Sequence, residues 1–439
     1  MGNLLKRLMA LVCAAACGLG SVAAIADNHG DESTGIDAYL PEKLDLIKET
    51  FDEAYMDGII PNYQFGLFNS EGLVYSAVRG KTRVNDGNVV TLDSINWMAS
   101  MTKPIVSAAI MKMVNEGQIS LDDRLAKFFP EFADMLVAPG GSYDATLQEA
   151  KSQITIQHLI SHTSGLTYGT GVTGVGDVAN QYDEFAIMRC YGSDANPMPE
   201  QLEVLAQLPL IAHPGEAWNY SVSTDVLGAV VQKVSNKPLN EYLREVFFDP
   251  IGMPNTGFFV PPNKDKDYVL VYTNMPAAEI SDEKDAEGIV RKIKPNVDWP
   301  RQNTPPNCFS GGGGLYSSVN DYAKFMMMLT NNGKANGKQV LAPEAVELLF
   351  ADQTTQLLPE AFQRAFGDDV SSFMKFGGGL GIKFSNETVA DYYFWGGAAN
   401  TFFWIDRNND SIGVFATQLL PSTYNVSDSI EEIVDQARR

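Results

Sequence analysis

Apolar residues recur at i, i+3, i+4 spacing over residues 105–116, 156–161, 223–235, 239–247, 321–331 and 343–350, which predicts helices with one apolar face each. Residues 63–80, YQFGLFNSEGLVYSAVRG, follow another rule: two short β-prone runs flank Asn69-Ser70-Glu71-Gly72, the composition of a hairpin. Near the other end, residues 391–418 hold three β-prone runs broken at Gly396-Gly397 and at 407–410, an antiparallel meander, and the tail from Ser427 has helical composition. Strands near both ends with helices between them predict an α+β fold, with one antiparallel sheet built from the N- and C-terminal parts and flanked by helices. The expected division is a sheet domain from residues 27–100 and 310–439 and an inserted, mainly helical domain over 101–309, with the site in the cleft between them. Residues 282–306, with a charged run and four prolines from Pro295 on, read as a long surface connection.

The start of the chain changes this picture little but sets the compartment. Lys6 and Arg7, the apolar run 8–24 and the small-residue site Ala24-Ile25-Ala26 read as an export signal over residues 1–26, which implies a periplasmic or secreted protein without stable membrane insertion. Cys17 lacks the branched apolar residue expected three positions before a lipidated cysteine. Removing the signal takes Lys6 and Arg7 from the 32 basic residues, so 30 face 54 acidic ones and the net charge is -24. That charge argues against nucleic acid or an anionic membrane as partner. Cys190 and Cys308 remain in an oxidising compartment, and the sequence leaves open whether they pair. It gives no oligomeric state.

The candidate chemistry lies in NWMASMTKPIVSAAIMKMVNEG, residues 96–117. A helix starting at Ser100 accommodates Pro104 in its first turn, where the missing N–H costs nothing, and closes at Gly117. Lys103 then lies one turn from Ser100 on the same face. A serine hydroxyl is a weak nucleophile until a neighbour takes its proton, and a neutral lysine can be that neighbour. Serine is also a common helix cap, and the same spacing recurs at Ser281/Lys284 and Ser372/Lys375. Only Ser100 opens a long apolar helix.

With SMTKP at 100–104 stand HLISHTSGL at 158–166, WNYSVSTDVLGAVVQKVS at 218–235, DPIGMPNTGF at 249–258, GGGGLYSSVNDYAKFM at 311–326 and WGGAANTFFWID at 395–406. In this order the chain resembles the serine β-lactamase and penicillin-binding-protein superfamily, in particular its class C-like branch and the related family VIII carboxylesterases. The resemblance implies Ser100 as nucleophile, Lys103 as proton acceptor, Tyr220 as the phenol that relays protons, and an oxyanion hole from the backbone N–H groups of Ser100 and Ala398. It implies that Val222, Trp395, Gly396 and Gly397 line the substrate, the last three from an edge strand. Two positions depart from the lactamases of this class: Val222 replaces an asparagine and Trp395 a lysine that attracts the substrate carboxylate. The Trp-Gly-Gly form resembles the esterases.

Other readings are weaker. His158 and His162 have i, i+4 spacing but no evident third metal ligand, and HTSGL reads as a structural turn near the site. There is no G-x-S-x-G nucleophile elbow, and the glycines 311–314 are not followed by the Lys-Ser/Thr of a phosphate loop. The aromatic residues Tyr392, Tyr393, Phe394, Phe402, Phe403 and Trp404 read mainly as core. The sequence and the resemblance together imply an exported serine hydrolase that forms an acyl-enzyme at Ser100, needs no metal or organic cofactor, and acts on small carboxylic esters. The alternatives are a β-lactamase, a D-amino-acid peptidase or amide hydrolase of the same fold, and a non-catalytic sensor that is merely acylated.

Overall fold

In a computed structural model of the chain, residues 36–439 are described except 86, 191–194, 275–279, 281–283, 286, 297–302, 355–373, 385–389, 422–423 and 425–426. The export signal, Ser281, Arg301 and Ser372 therefore lie outside the described residues. The labelled helices are α1 (Pro41–Met56), α2 (Thr102–Asn115), α3 (Ile156–Ile160), α4 (Gly176–Glu184), α5 (Met198–Leu205), α6 (Ser223–Ser235), α7 (Leu239–Leu243), α8 (Val319–Thr330), α9 (Pro343–Phe350) and α10 (Ser427–Ala437). The main strands are β1 (Asn62–Asn69), β2 (Gly72–Gly80), β3 (Met374–Phe376), β4 (Gly381–Phe384), β5 (Ala390–Gly397), β6 (Thr401–Asp406) and β7 (Ser411–Ala416). Thus each of the six expected helices forms, α7 continuing as a π-helical turn over Arg244–Phe248.

The strands make one antiparallel sheet in the order β3-β4-β5-β6-β7-β1-β2, so the C-terminal meander pairs with the N-terminal hairpin through β7 and β1. Asn69 builds the hairpin turn, its side-chain oxygen accepting from the N–H groups of Glu71 and Gly72 at 2.9 and 3.0 Å. Alternation along the strands splits the core. Tyr63, Phe65, Trp404 and Phe415 pack with Leu44, Ile47 and Phe51 of α1 and Val434 of α10, while Phe403, Ile405, Ile412 and Val414 join the larger core with α2 and α8. The expected core role of the 392–404 aromatics holds for Tyr392, Phe403 and Trp404, all buried, and Tyr393, Phe394 and Phe402 pack against it half-buried. Among the described residues between 101 and 309 no strand exceeds two residues.

Three expectations are corrected. Ser100 is not the first residue of an α-helix: it sits in a 3-10 turn, Ala99–Met101, and α2 begins at Thr102. The Trp395-Gly396-Gly397 strand is not an edge, because β3 and β4 pair beyond it, a hairpin whose short, glycine-interrupted runs carry little β signal. The 282–306 segment is more than a surface connection, since Arg291 is buried in an ion pair with Asp285 at 2.7 Å and donates to the carbonyls of Tyr55 and Ile60. Helix α1 was legible as Leu44, Ile47, Phe51, Ala54 and Tyr55 at helical spacing, all buried, but was not among the expected elements.

Candidate active site

The Ser100 turn is clamped from both sides. Ala99 takes a left-handed conformation, φ 45°, which aims the next residue away from the incoming strand. Thr102 Oγ1 donates to the Ala99 carbonyl at 2.7 Å and accepts from Leu315 N at 3.0 Å, Met98 N donates to the Leu315 carbonyl, and the Tyr322 hydroxyl donates to the Met101 carbonyl at 2.8 Å. Helix α2 then runs through the core, so Lys103 is carried inside: it is 0% exposed, while Ser100 stays half-buried at the cleft. A fully buried lysine survives only if its amine is bonded. Lys103 Nζ lies 3.3 Å from Ser100 Oγ, 3.0 Å from the Tyr168 hydroxyl and 2.7 Å from the Gly312 carbonyl, and it stands 4.5 Å from the centre of the Tyr220 ring.

Tyr220 is held by the histidine of HTSGL. The His162 carbonyl accepts from Asn219 N at 2.8 Å, and His162 Nδ1 accepts from Ser221 N at 3.2 Å, so both neighbours of Tyr220 are fixed. His162 does this from φ 55° in full burial. Burial, and then the charge of Lys103, holds its pKa well below the usual histidine value, so it serves as a neutral acceptor. His158 has a separate task, its Nδ1 accepting from Thr155 N while the Thr155 hydroxyl accepts from His158 N, which caps α3.

Trp395 closes the aromatic wall. Its indole N–H donates to the Tyr220 hydroxyl at 3.3 Å, and its ring lies 5.2 Å from that of Phe376, which in turn meets Trp218 and His162 edge-on. Val222, by contrast, is packed into the core at the N-cap of α6, 1% exposed. The end of β5 approaches the nucleophile's own segment: a Cβ on Gly397 would stand 2.4 Å from the Met98 carbonyl oxygen, so glycine is required where the strand meets the Ser100 turn. Ala398, next in line, is exposed. Of the cations that could take the place of the lactamase lysine, Lys324 bonds the Gly252 carbonyl and Asp321, and Lys375 pairs with Asp352.

Two contributors were not read from the sequence. Tyr168 follows HTSGL by two residues and puts a second phenol on Lys103, its ring 5.3 Å from that of Tyr220. The second is the disulfide Cys190–Cys308, two residues before the Ser310 that opens the glycine turn. Among the described residues no group of three or more His, Cys, Asp or Glu could hold a metal, and no helix is long and apolar enough to cross a membrane.

A serine and a buried lysine in contact, flanked by phenols between a helical region and an antiparallel sheet, are the arrangement the sequence motifs imply. The family model described as Beta-lactamase matches residues 47–437. The chain belongs to this family. It is 31% identical over 393 residues to Protein Rv1367c of Mycobacterium tuberculosis, covering 85% of this chain and 89% of that one. It is 29% identical over 301 residues to Esterase EstB of Burkholderia gladioli, covering 67% and 71%. Among solved structures, EstCE1, a hydrolase with promiscuous acyltransferase activity, superposes with a TM-score of 0.70 at 20% identity over 91% of this chain and 99% of that one, a likeness of fold. The β-lactamase-fold family consists mostly of hydrolases and includes esterases, EstB among the relatives of this chain.

Proposed function

We propose that the protein is an exported serine hydrolase that cleaves small carboxylic esters through an acyl-enzyme on Ser100. The observation that carries this reading is the buried amine of Lys103, 3.3 Å from Ser100 Oγ, with Trp395 in place of a substrate-binding lysine. In the mechanism, Ser100 Oγ attacks the ester carbonyl and its proton passes to the amine of Lys103. The oxyanion forms against the backbone N–H groups of Ser100 and Ala398. Lys103 returns the proton to the leaving alkoxide through the phenol of Tyr220 or Tyr168, and water then attacks the acyl-enzyme with the same groups taking its proton. Trp395, Gly396 and Gly397 line the ester, and Val222 lies behind Tyr220.

The sheet part, 27–100 with 310–439, supplies the floor and the oxyanion strand, and 101–309 supplies the lysine and both phenols. Residues 1–26 leave on export, so N-terminal sequencing of the mature chain should start at or near Asp27.

The activity is tested with a panel of aryl and alkyl esters on wild type, Lys103→Ala and Tyr220→Phe. Each substitution should lower turnover by roughly 10²–10⁴-fold, the scale of lost general acid–base catalysis. Turnover unchanged in Lys103→Ala would overturn the mechanism, and single stoichiometric acylation without turnover would favour a sensor.

A further inference from the structure

Asp225 is an acidic residue that the mechanism above does not use, yet it is only 1% exposed on the first turn of α6, five residues after Tyr220. A carboxylate taken out of water needs partners. Among the described residues no lysine or arginine lies within 4 Å of it; its Oδ1 accepts from Ser310 Oγ at 2.5 Å and from Gly312 N at 3.0 Å. Ser310 Oγ in turn accepts from Gly313 N at 2.9 Å.

These three bonds fix both peptide planes on either side of Gly312. The plane before it is held by its N–H on Asp225. The plane after it is held by the Gly313 N–H on Ser310, and the carbonyl at the opposite end of that same plane is the one that accepts from Lys103 Nζ at 2.7 Å. The residue between must be glycine, because a Cβ on Gly312 would stand 2.3 Å from Asp225 Oδ2. The carboxylate thus abuts the turn it organises.

We infer that Asp225 is a positioning residue: through Ser310 and the Gly312 turn it aims a carbonyl at the Lys103 amine and supplies the negative charge that stabilises this amine once it has taken the Ser100 proton. The inference rests on the proposed role of Ser100 and Lys103. The electrostatics agree with the geometry, since burial raises the Asp225 pKa and the charge of Lys103 is the largest effect opposing that rise. The other groups facing Lys103 are Ser100, Tyr168 and Tyr220, together with His162, whose pKa burial lowers. Asp225 is the acidic group joined to the amine through Gly312, from whose N–H it accepts and whose carbonyl meets Lys103 Nζ.

The test compares the rate at which a fluorophosphonate labels Ser100, read by intact-protein mass, across pH 5 to 9 in wild type, Asp225→Asn and Ser310→Ala. Asparagine keeps the shape and the acceptor for Gly312 N but removes the charge. It should slow labelling by about 10-fold or more, the loss expected when a group that stabilises developing charge is removed, and move the acid limb of the profile to lower pH. Ser310→Ala keeps the carboxyl group but removes its donor Ser310 Oγ and the acceptor of Gly313 N, so it should slow labelling with a smaller shift of the acid limb than Asp225→Asn gives. Asp225→Asn that folds and labels at the wild-type rate, with the wild-type limb, overturns the inference. If Asp225→Asn does not fold, Ser310→Ala decides: a rate within about two-fold of wild type, below the loss a transition-state contact causes, overturns it as well. Failure of wild type to label at all would instead overturn the reading of Ser100 and Lys103, and the two failures are thereby distinguished.

Discussion

The indole N–H of Trp395 points at the hydroxyl of Tyr220, 3.3 Å away, at the position where a lactamase of this class presents a lysine to its substrate. On the proposed reading, a hydrogen-bonded aromatic wall stands where those lactamases have a cation, and a substrate carboxylate loses that partner. A charge-assisted hydrogen bond of the kind lost contributes roughly 1.5–3 kcal/mol, which is about ten- to a hundred-fold in recognition. An uncharged ester has no carboxylate to place, and its alkoxide needs less protonation on leaving than an amine. We expect kcat/KM for short aryl esters to exceed that for benzylpenicillin by at least about a hundred-fold. Equal values would show that another cation reaches the substrate.

Tyr168 bears directly on the amine proposed to act on Ser100, since its hydroxyl lies 3.0 Å from Lys103 Nζ. Tyr168→Phe keeps the ring against Tyr220 and removes the hydroxyl that meets Lys103 Nζ. A fall in kcat of about ten-fold or more with KM nearly constant is expected for an interaction used in the transition state. A change confined to KM would make the phenol a substrate contact instead.

The Cys190–Cys308 disulfide closes a loop across a sequence separation of 118 and anchors the chain just before the glycine turn that faces Lys103. Loop-closure entropy for that length is on the order of 4–5 kcal/mol, and the usual measured range is about 2–5 kcal/mol. The paired Cys190→Ser, Cys308→Ser variant should unfold at clearly lower denaturant concentration, with a steeper slope because the uncrosslinked denatured chain exposes more surface. A midpoint equal to that of wild type would contradict this role.

Two histidines, His162 fully buried and His158 half-buried, contribute to the response to acid. Burial lowers the pKa of His158, and burial followed by the charge of Lys103 lowers that of His162, while the unfolded chain protonates both near 6.5. Below that pH the unfolded state binds more protons than the native one, so stability is full above about 6.5 and falls as pH drops, at up to about 1.4 kcal/mol per pH unit for each group. Denaturant midpoints from pH 7.5 to 5 should show this slope. It should flatten in His162→Asn, where asparagine tolerates the left-handed backbone that residue 162 adopts. A slope unchanged by the substitution would assign the acid limb to other groups.

Much of this was legible in the sequence because the signals were local. Helical spacing marked α2, α6 and α8, Asn69 to Gly72 marked the hairpin, and the ordered motifs brought Ser100, Lys103, Tyr220 and Trp395 to one place. What was missed depends on contacts made across the chain. Tyr168 looks like any tyrosine after a turn until the fold sets it on Lys103, and Asp225 reads as an ordinary first-turn acid of α6 until Gly312 closes on it. The strands β3 and β4 are short and interrupted by glycines 377–379, so their pairing outside β5, which removes Trp395 from the edge, rests on tertiary context rather than propensity.

A covalent intermediate on one oxygen, Ser100 Oγ, is the centre of the proposed mechanism. Rapid quenching of wild type with a slowly deacylating aryl ester, followed by intact mass and peptide mapping, should give an adduct of one acyl group that maps to Ser100, builds up and decays at the turnover rate, and is absent from Ser100→Ala. Turnover that persists in Ser100→Ala, or an acyl group that maps to any other residue, would contradict it.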